Sequence, residues 1–287
     1  MIKILELPLE DDLSEFTGFL WQQEIPHRVV ASDGLQHLLL ANPADAEQVL
    51  GIYRLWQEGQ DLAQIRLVRS VPRRQRSFGQ MLVYCWVCAL LIGAGLMLTL
   101  LINFGQNFPL LHHLTIVEVS RQGQYLLSSG LSDTVESFQL WRFLTPIFLH
   151  FSPPHLLFNL LWIWVVGSRI EFSQGHRALL LLAVFSGICS NLAQYWDSGP
   201  MFGGLSGVVF ALFGYAWLWD RLYPTQRLGL PPAMMGFMLL WLALGYTGML
   251  SALGFGNIAN TAHLAGLVAG LAFVPLGRWL MKARGKT

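Results

Sequence analysis

Charge is scarce in this sequence. Only 12% of its 287 residues are Asp, Glu, Lys or Arg, against about a quarter in soluble domains, and 54% are hydrophobic. That balance points to a chain that lives in a bilayer. The formal net charge of +1 supplies no basic surface for a phosphate backbone, which excludes nucleic acid as a partner. Three cysteines make no disulfide framework. Cys85-Trp86-Val87-Cys88 sits in an apolar run with no second ligand pair, so it reads as core rather than zinc site. No His-Glu-x-x-His occurs, which argues against a zincin-like centre, and no metal or other cofactor is expected. Met1 to Asp12 is acidic and lacks the apolar core of a cleaved export segment, so insertion is expected to rely on later helices.

What is present divides into a small leading unit and a long apolar one. Residues 1–62 alternate in the manner of an α+β domain. A strand is expected near Ile2 to Leu7, a helix near Leu13 to Gln23, extended pieces at His27 to Ala31 and Leu35 to Leu40, and a helix from Ala44 to Glu58. His27 and His37 read as ordinary surface or edge residues. Residues 63–80 form a basic linker containing Arg66, Arg69, Arg73, Arg74 and Arg76. From residue 81 to 281 the pattern predicts six membrane-spanning helices, at Met81–Ile102, Pro154–Ser168, Ala178–Tyr195, Gly203–Trp219, Ala233–Ala252 and Ala259–Gly277. A long loop at about 103–145 follows the first span, and residues 282–287 form a tail.

The basic residues beside the spans are distributed unevenly. One side takes the linker arginines, Arg169, Arg177, Arg221, Arg227, Arg278, Lys282, Arg284 and Lys286; the other takes Arg121 and Arg142. By the positive-inside rule both termini are cytoplasmic. The loop at 103–145 is too long for a simple turn. Its apolar and aromatic content suggests that it rests in the membrane interface, with Trp141-Arg142 serving either as an ordinary interfacial anchor or in a specific structural role.

Gly203-Gly204-Leu205-Ser206-Gly207 places a serine among glycines at the mouth of an apolar helix, so its hydroxyl and N–H are both approachable. Packing is the competing explanation, because Gly207, Ala211 and Gly214 also form a small-residue face. Three helices nevertheless bring polar groups to one depth. Ser206 is expected about three residues into the fourth span, roughly 5 Å deep, and His263 about four residues into the sixth, roughly 6 Å. His155 and Asn159 share a face of the second span, after His150. Such groups in a span are costly unless paired or functional. The chemistry they offer is nucleophilic: His263 as general base for Ser206, with His155, Asn159 and the Ser206 N–H as donors to an oxyanion. Glu171 and Asp220 fall at the far helix ends and Asp197 in a short loop, so no acid is placed to orient His263 and a Ser-His dyad is expected. Gly204-x-Ser206-Gly207 does not match the Gly-x-Ser-x-Gly elbow of soluble hydrolases.

Taken together, Gly204-Leu205-Ser206-Gly207, Ala262-His263-Leu264-Ala265-Gly266-Leu267-Val268-Ala269-Gly270, His150 with His155 to Asn159, and Trp141-Arg142 resemble the motifs of the rhomboid family of intramembrane serine proteases, in its bacterial GlpG type. The resemblance covers about Met81 to Leu280, and the small leading domain also fits that type. It implies an all-α, six-helix bundle in a bacterial inner membrane that cleaves transmembrane protein substrates near the outer face, with substrate entering past the fifth span and membrane lipids around it. By motif, Ser206 is the nucleophile, His263 the base, and His155, Asn159 and the Ser206 N–H the oxyanion hole, supported by Gly204, Phe210, His150, Trp141 and Arg142. Phe210 stands where GlpG-type relatives often carry a tyrosine, so the ring is kept and the hydroxyl lost. A catalytically inactive rhomboid-like protein that binds transmembrane helices is the alternative. A six-span transporter would want its polar groups along a midplane path.

Overall fold

The computed structural model describes residues 1–62, 78–255 and 258–283. The linker arginines up to Arg76 and the tail residues 284–287 lie outside the described residues. The chain forms two compact units, Met1–Gln75 and Arg76–Thr287.

The first unit runs β1 (Ile2–Pro8), α1 (Ser14–Gln22), β2 (His27–Ser32), β3 (Leu35–Leu40) and α2 (Ala46–Gln57). Asp33 and Gly34 both have positive φ, at 55° and 80°, and make the two-residue turn that joins β2 to β3 in register, Ser32 opposite Leu35. β3 lies between β1 and β2, antiparallel to both. Alternation along β3 turns Leu38 and Leu40 inward, onto Phe16 and Leu20 of α1 and Val49 of α2, all fully buried. The Phe16 ring stacks on Trp56 at 5.5 Å. His27, expected at the surface or at an edge, lies on the edge strand β2 and is buried, with Nδ1 against the Ile25 carbonyl and its ring on Trp21.

Among the described residues, the regular structure of the second unit is helical apart from one hairpin. It comprises α3 (Phe78–Tyr84), α4 (Trp86–Leu101), α5 (Phe108–Leu114), β4 (Val119–Gln122), β5 (Tyr125–Ser128), α6 (Leu131–Glu136), α7 (Pro153–Trp162), α8 (Ser168–Gln174), α9 (His176–Ser198), α10 (Ser206–Leu222), α11 (Pro232–Tyr246) and α12 (Asn260–Ala283). Three stretches, Pro153–Gln174, His176–Ser198 and Asn260–Lys282, are long and apolar enough to cross a membrane, and Trp86–Leu101 and Pro232–Tyr246 are shorter apolar helices.

The structure departs from the sequence expectations at three helices. The first span is not one helix, because the chain breaks at Cys85, where φ is −113° and ψ 53°. The buried Glu171 carboxylate, on α8, accepts the Val87 and Cys88 N–H groups at 2.8 and 2.9 Å and so satisfies the buried first turn of α4. The second span does not stop at Ser168. A π-helical turn over Ile163–Gly167 carries α7 directly into α8. The helix expected as the fourth span starts later than expected, at Ser206, so the serine is the first helical residue and not the fourth.

α10 is the central helix, buried at every residue from Gly207 to Ala216. It touches α12 backbone to backbone. A Cβ on Gly266 would run into the Gly207 carbonyl, one on Gly270 into Ala211, and one on Gly214 would sit 2.7 Å from the Leu267 carbonyl oxygen. On α9, Ser190 Oγ would lie 2.5 Å from a Cβ on Gly207. Small residues are thus what permits these helices to approach so closely.

Gly270→Ala should therefore lower the melting temperature in detergent by several degrees, an overpacking cost of about 1–3 kcal/mol. Gly236→Ala, on α11 with open space where its Cβ would go, should be neutral or slightly stabilising. Equal melting shifts for the two variants would show that the α10–α12 contact does not limit stability.

Candidate active site

The site is built on the loop that leads into α10. Gly204 has φ of +127°, donates its N–H to the Pro146 carbonyl at 3.0 Å, and leaves no room for a Cβ, which would lie 2.6 Å from the His155 ring. A Cβ on Gly203 would meet Leu149 Cβ at 2.5 Å and the Leu149 carbonyl at 2.6 Å. Leu205 donates its N–H to His150 Nε2 at 3.3 Å. His150 is fully buried, and its Nδ1 lies 3.2 Å from the Phe148 carbonyl and 3.1 Å from Thr99 Oγ1. A ring protonated on Nδ1 satisfies these contacts together, with Nε2 left as the acceptor. The turn before Ser206 is thereby fixed from three sides. Ser206 opens the helix, so its N–H has no intrahelical acceptor.

α12 brings the imidazole. Its start is held by Gln194 of α9, whose Oε1 accepts the Ala262 N–H at 2.8 Å. One residue on, His263 Nε2 lies 2.8 Å from Ser206 Oγ. The His263 ring is buried and stacks on Phe210 with centroids 4.6 Å apart and planes 21° from parallel. Its Nδ1 is buried with no hydrogen-bond partner among the described residues. Two bundle carboxylates are committed far from the ring: Glu171 to α4 and to His176 Nδ1 at 2.6 Å, and Asp220 to the N–H groups of Leu228, Gly229 and Leu230. Asp197 is exposed near the end of α9. Packing against Phe210, rather than an acid, holds the ring.

α7 supplies the third side. Pro153 and Pro154 start it, where a missing N–H costs nothing. His155 lies over Gly204, with its ring edge-on to His150 at 5.0 Å. Asn159 is buried, donates through Nδ2 to the His155 carbonyl at 3.0 Å, and has no partner at Oδ1 among the described residues. Ser206, His263, Phe210, His155 and Asn159 line one cavity, closed toward α11 by Met238 and Trp241.

Trp141 and Arg142 sit apart from this cavity. The Trp141 side chain is half exposed and its Nε1 reaches the His113 carbonyl at 3.3 Å. Arg142 is buried and ties the long loop together, donating to Gln139 Oε1 at 2.6 Å and to the His112 and Thr115 carbonyls at 2.7 and 3.0 Å. Burial lowers its pKa, and the three acceptors offset the cost of desolvating it. Thr99, Gln194 and Asn191, which donates to the Phe143 carbonyl at 2.9 Å, were not singled out from sequence. Their signal was available as polar residues on helices otherwise apolar.

A rhomboid domain family model matches residues 137–279, and a rhomboid N-terminal domain model matches residues 1–66. The chain belongs to the rhomboid family. It is 47% identical to the rhomboid protease GlpG of Pectobacterium atrosepticum over 136 residues, 47% of this chain and 48% of that protein. It is 48% identical to that of Serratia proteamaculans over 139 residues, covering 48% and 49%. The matched segment thus spans about half the length of these curated relatives. The rhomboid domain encloses every polar residue placed around the cavity, from His150 to His263. Family and apolar helices together make this a bacterial membrane protein.

A fluorophosphonate should label Ser206, because an imidazole nitrogen 2.8 Å from the hydroxyl is placed to take its proton. Labelling should fall at least about 100-fold in His263→Ala, measured as the initial rate by intact mass. Undiminished labelling would remove His263 from the chemistry.

Proposed function

We propose that this chain is an intramembrane serine endopeptidase that hydrolyses peptide bonds in or near transmembrane segments of other membrane proteins. The observation that carries the reading is the 2.8 Å contact between Ser206 Oγ and His263 Nε2 among apolar helices. Nε2 takes the hydroxyl proton as Oγ attacks the scissile carbonyl, then returns it to the leaving amine. A water deprotonated by the same nitrogen releases the acyl group. A neutral ring that accepts at Nε2 carries its proton on Nδ1, and with no carboxylate there the pair acts as a dyad.

The oxyanion is assigned to the Ser206 N–H, the second N–H of Asn159 Nδ2 and the ring of His155. Support comes from the unfilled donor capacity at the start of α10 and from the placement of Asn159 and His155 on the cavity wall. Gly204, His150 and Phe210 act as positioning residues, and Trp141 and Arg142 shape the outer loop. No metal takes part. Entry past α11 accords with how little of that helix is tied down: only Met235, Met238 and Gly245 are buried.

The same reading assigns six spans, formed by α3 with α4, α7 with α8, and α9, α10, α11 and α12. It places residues 1–62 as a cytoplasmic domain, 63–80 as linker, 81–281 as the protease bundle and 282–287 as a cytoplasmic tail, in the bacterial inner membrane. Transmembrane proteins are its substrates, lipids its surroundings, and nucleic acid plays no part. An inactive helix-binding protein is disfavoured because the serine and imidazole are in hydrogen-bond contact. A transporter is disfavoured because the polar groups gather at one end of α10.

Wild type reconstituted in liposomes should cleave a model transmembrane substrate that Ser206→Ala leaves intact. Cleavage by both, or by neither, would overturn the assignment. Asn159→Ala should lower kcat by about 100-fold or more with little change in KM. If Asn159→Ala and His155→Ala, singly and combined, stay folded and cleave at the wild-type rate, α7 does not supply the hole.

A further inference from the structure

The end of α10 remote from Ser206 carries a second cavity that proteolysis does not use. Arg221 is fifteen residues beyond Ser206, roughly 22 Å along the helix. There the C-terminal turns of α10, the loop after Tyr223 and the start of α11 enclose a cleft larger than the one beside the serine. Its inner wall is apolar, with Phe213 and Trp217 on one side and Leu230 and Met234 on the other. Its rim is cationic. The Arg221 guanidinium lies over the Trp217 ring at 4.2 Å, and Arg227 lines the same cleft from the loop.

The charges at this rim do not cancel. The one acid in the lining, Asp220, is consumed by the backbone, accepting from Leu228 N at 2.6 Å, Gly229 N at 3.0 Å and Leu230 N at 3.4 Å. Among the described residues neither Arg221 nor Arg227 has a carboxylate in salt-bridge range. The wall is also held in place, since Arg169 of α8 donates Nη1 to the Leu228 and Gly229 carbonyls. A cleft thus stands at the end of apolar helices, apolar inside, with two arginines and one backbone-bonded carboxylate lining it.

We propose that this cleft binds one anionic glycerophospholipid from the leaflet remote from Ser206. Its phosphodiester is held by Arg221 and Arg227, and an acyl chain lies between Phe213 and Trp217 on one wall and Leu230 and Met234 on the other. Charge complementarity selects the occupant. A planar guanidinium pairs well with a phosphate ester, whereas the ammonium of a zwitterionic head meets two like charges. The proposal rests on α10 and α11 lying in a bilayer and not on catalysis, so its success or failure is separable from that of the dyad.

The test is native mass spectrometry of the full chain released from detergent, titrated with phosphatidylglycerol, phosphatidylcholine or inorganic phosphate. Wild type should retain one phosphatidylglycerol at least about tenfold more tightly than phosphatidylcholine, and inorganic phosphate should not displace it. Arg221→Gln with Arg227→Gln should lose roughly 10- to 30-fold in phosphatidylglycerol affinity, as expected for two arginines at a membrane surface. Arg121→Gln, on the hairpin of the long loop, should lose nothing. Arg227→Gln alone, at an exposed loop position, should lose about threefold to fivefold and serves where the double variant fails to fold. Equal retention of the two lipids, an unchanged affinity in a folded arginine variant, or displacement by inorganic phosphate would each overturn the proposal.

Discussion

The contact between the α10 and α12 backbones is the constraint on which the remainder of this molecule depends. Helix axes normally stand 8–10 Å apart because side chains separate them. Here Gly207, Ala211 and Gly214 face Gly266, Gly270 and Leu267, and a single methyl group at Gly266 or Gly270 would fall on main-chain atoms that cannot move aside. Dispersion across such a surface is large only when no gap is left. The chemistry inherits this geometry directly. Ser206 and His263 stand one residue before Gly207 and three before Gly266, so their separation of 2.8 Å is set by the same seam that holds the bundle together.

A bundle of this composition has few polar side chains to spend, and most of them close backbone rather than pair with one another. Glu171 satisfies the start of α4, Gln194 the start of α12, Asp220 the loop before α11, and Arg142 the carbonyls at the end of α5. Each satisfies main-chain groups that the helix ends and loops would otherwise leave unpaired. The residues around Ser206 break this pattern. Asn159 Oδ1 and His263 Nδ1 are buried and unpartnered among the described residues, and their side chains line one cavity. Other buried polar atoms, Trp162 Nε1 and Asn260 Oδ1 among them, also go unmatched away from this wall, so what distinguishes the site from packing is two such atoms on one cavity wall beside the Ser206–His263 contact.

Much of the arrangement could be read from the chain alone where the determining residues are close in sequence. Asp33-Gly34 specifies a two-residue turn and thus the β2–β3 register. The four-residue step from His155 to Asn159 places both on one helix face, and the glycines around Ser206 and after His263 mark helices able to meet. Where the determinants are distant the sequence is silent. The break at Cys85 depends on Glu171, 84 residues from Val87. The late start of α10 depends on Pro146 and Leu149 packing against Gly203 and Gly204. Arg142 finds acceptors 27 and 30 residues back, and nothing local in Trp141-Arg142 distinguishes a buried staple from an interfacial anchor.

Starting α10 at Ser206 and not at Gly203 changes the electrostatics of the serine. A residue three positions inside a helix already donates within a turn of the helix end, and its side chain is screened by the turn before it. The first residue keeps its N–H free and stands at the positive end of the helix dipole, which favours developing negative charge beside it. In an apolar bundle that field is little attenuated by solvent. The glycines before Ser206 therefore do more than admit a ligand. By packing on Pro146, Leu149 and His155 they delay the helix by three residues, and that delay aligns the free N–H, the hydroxyl and the imidazole of His263 at one wall of the same cavity.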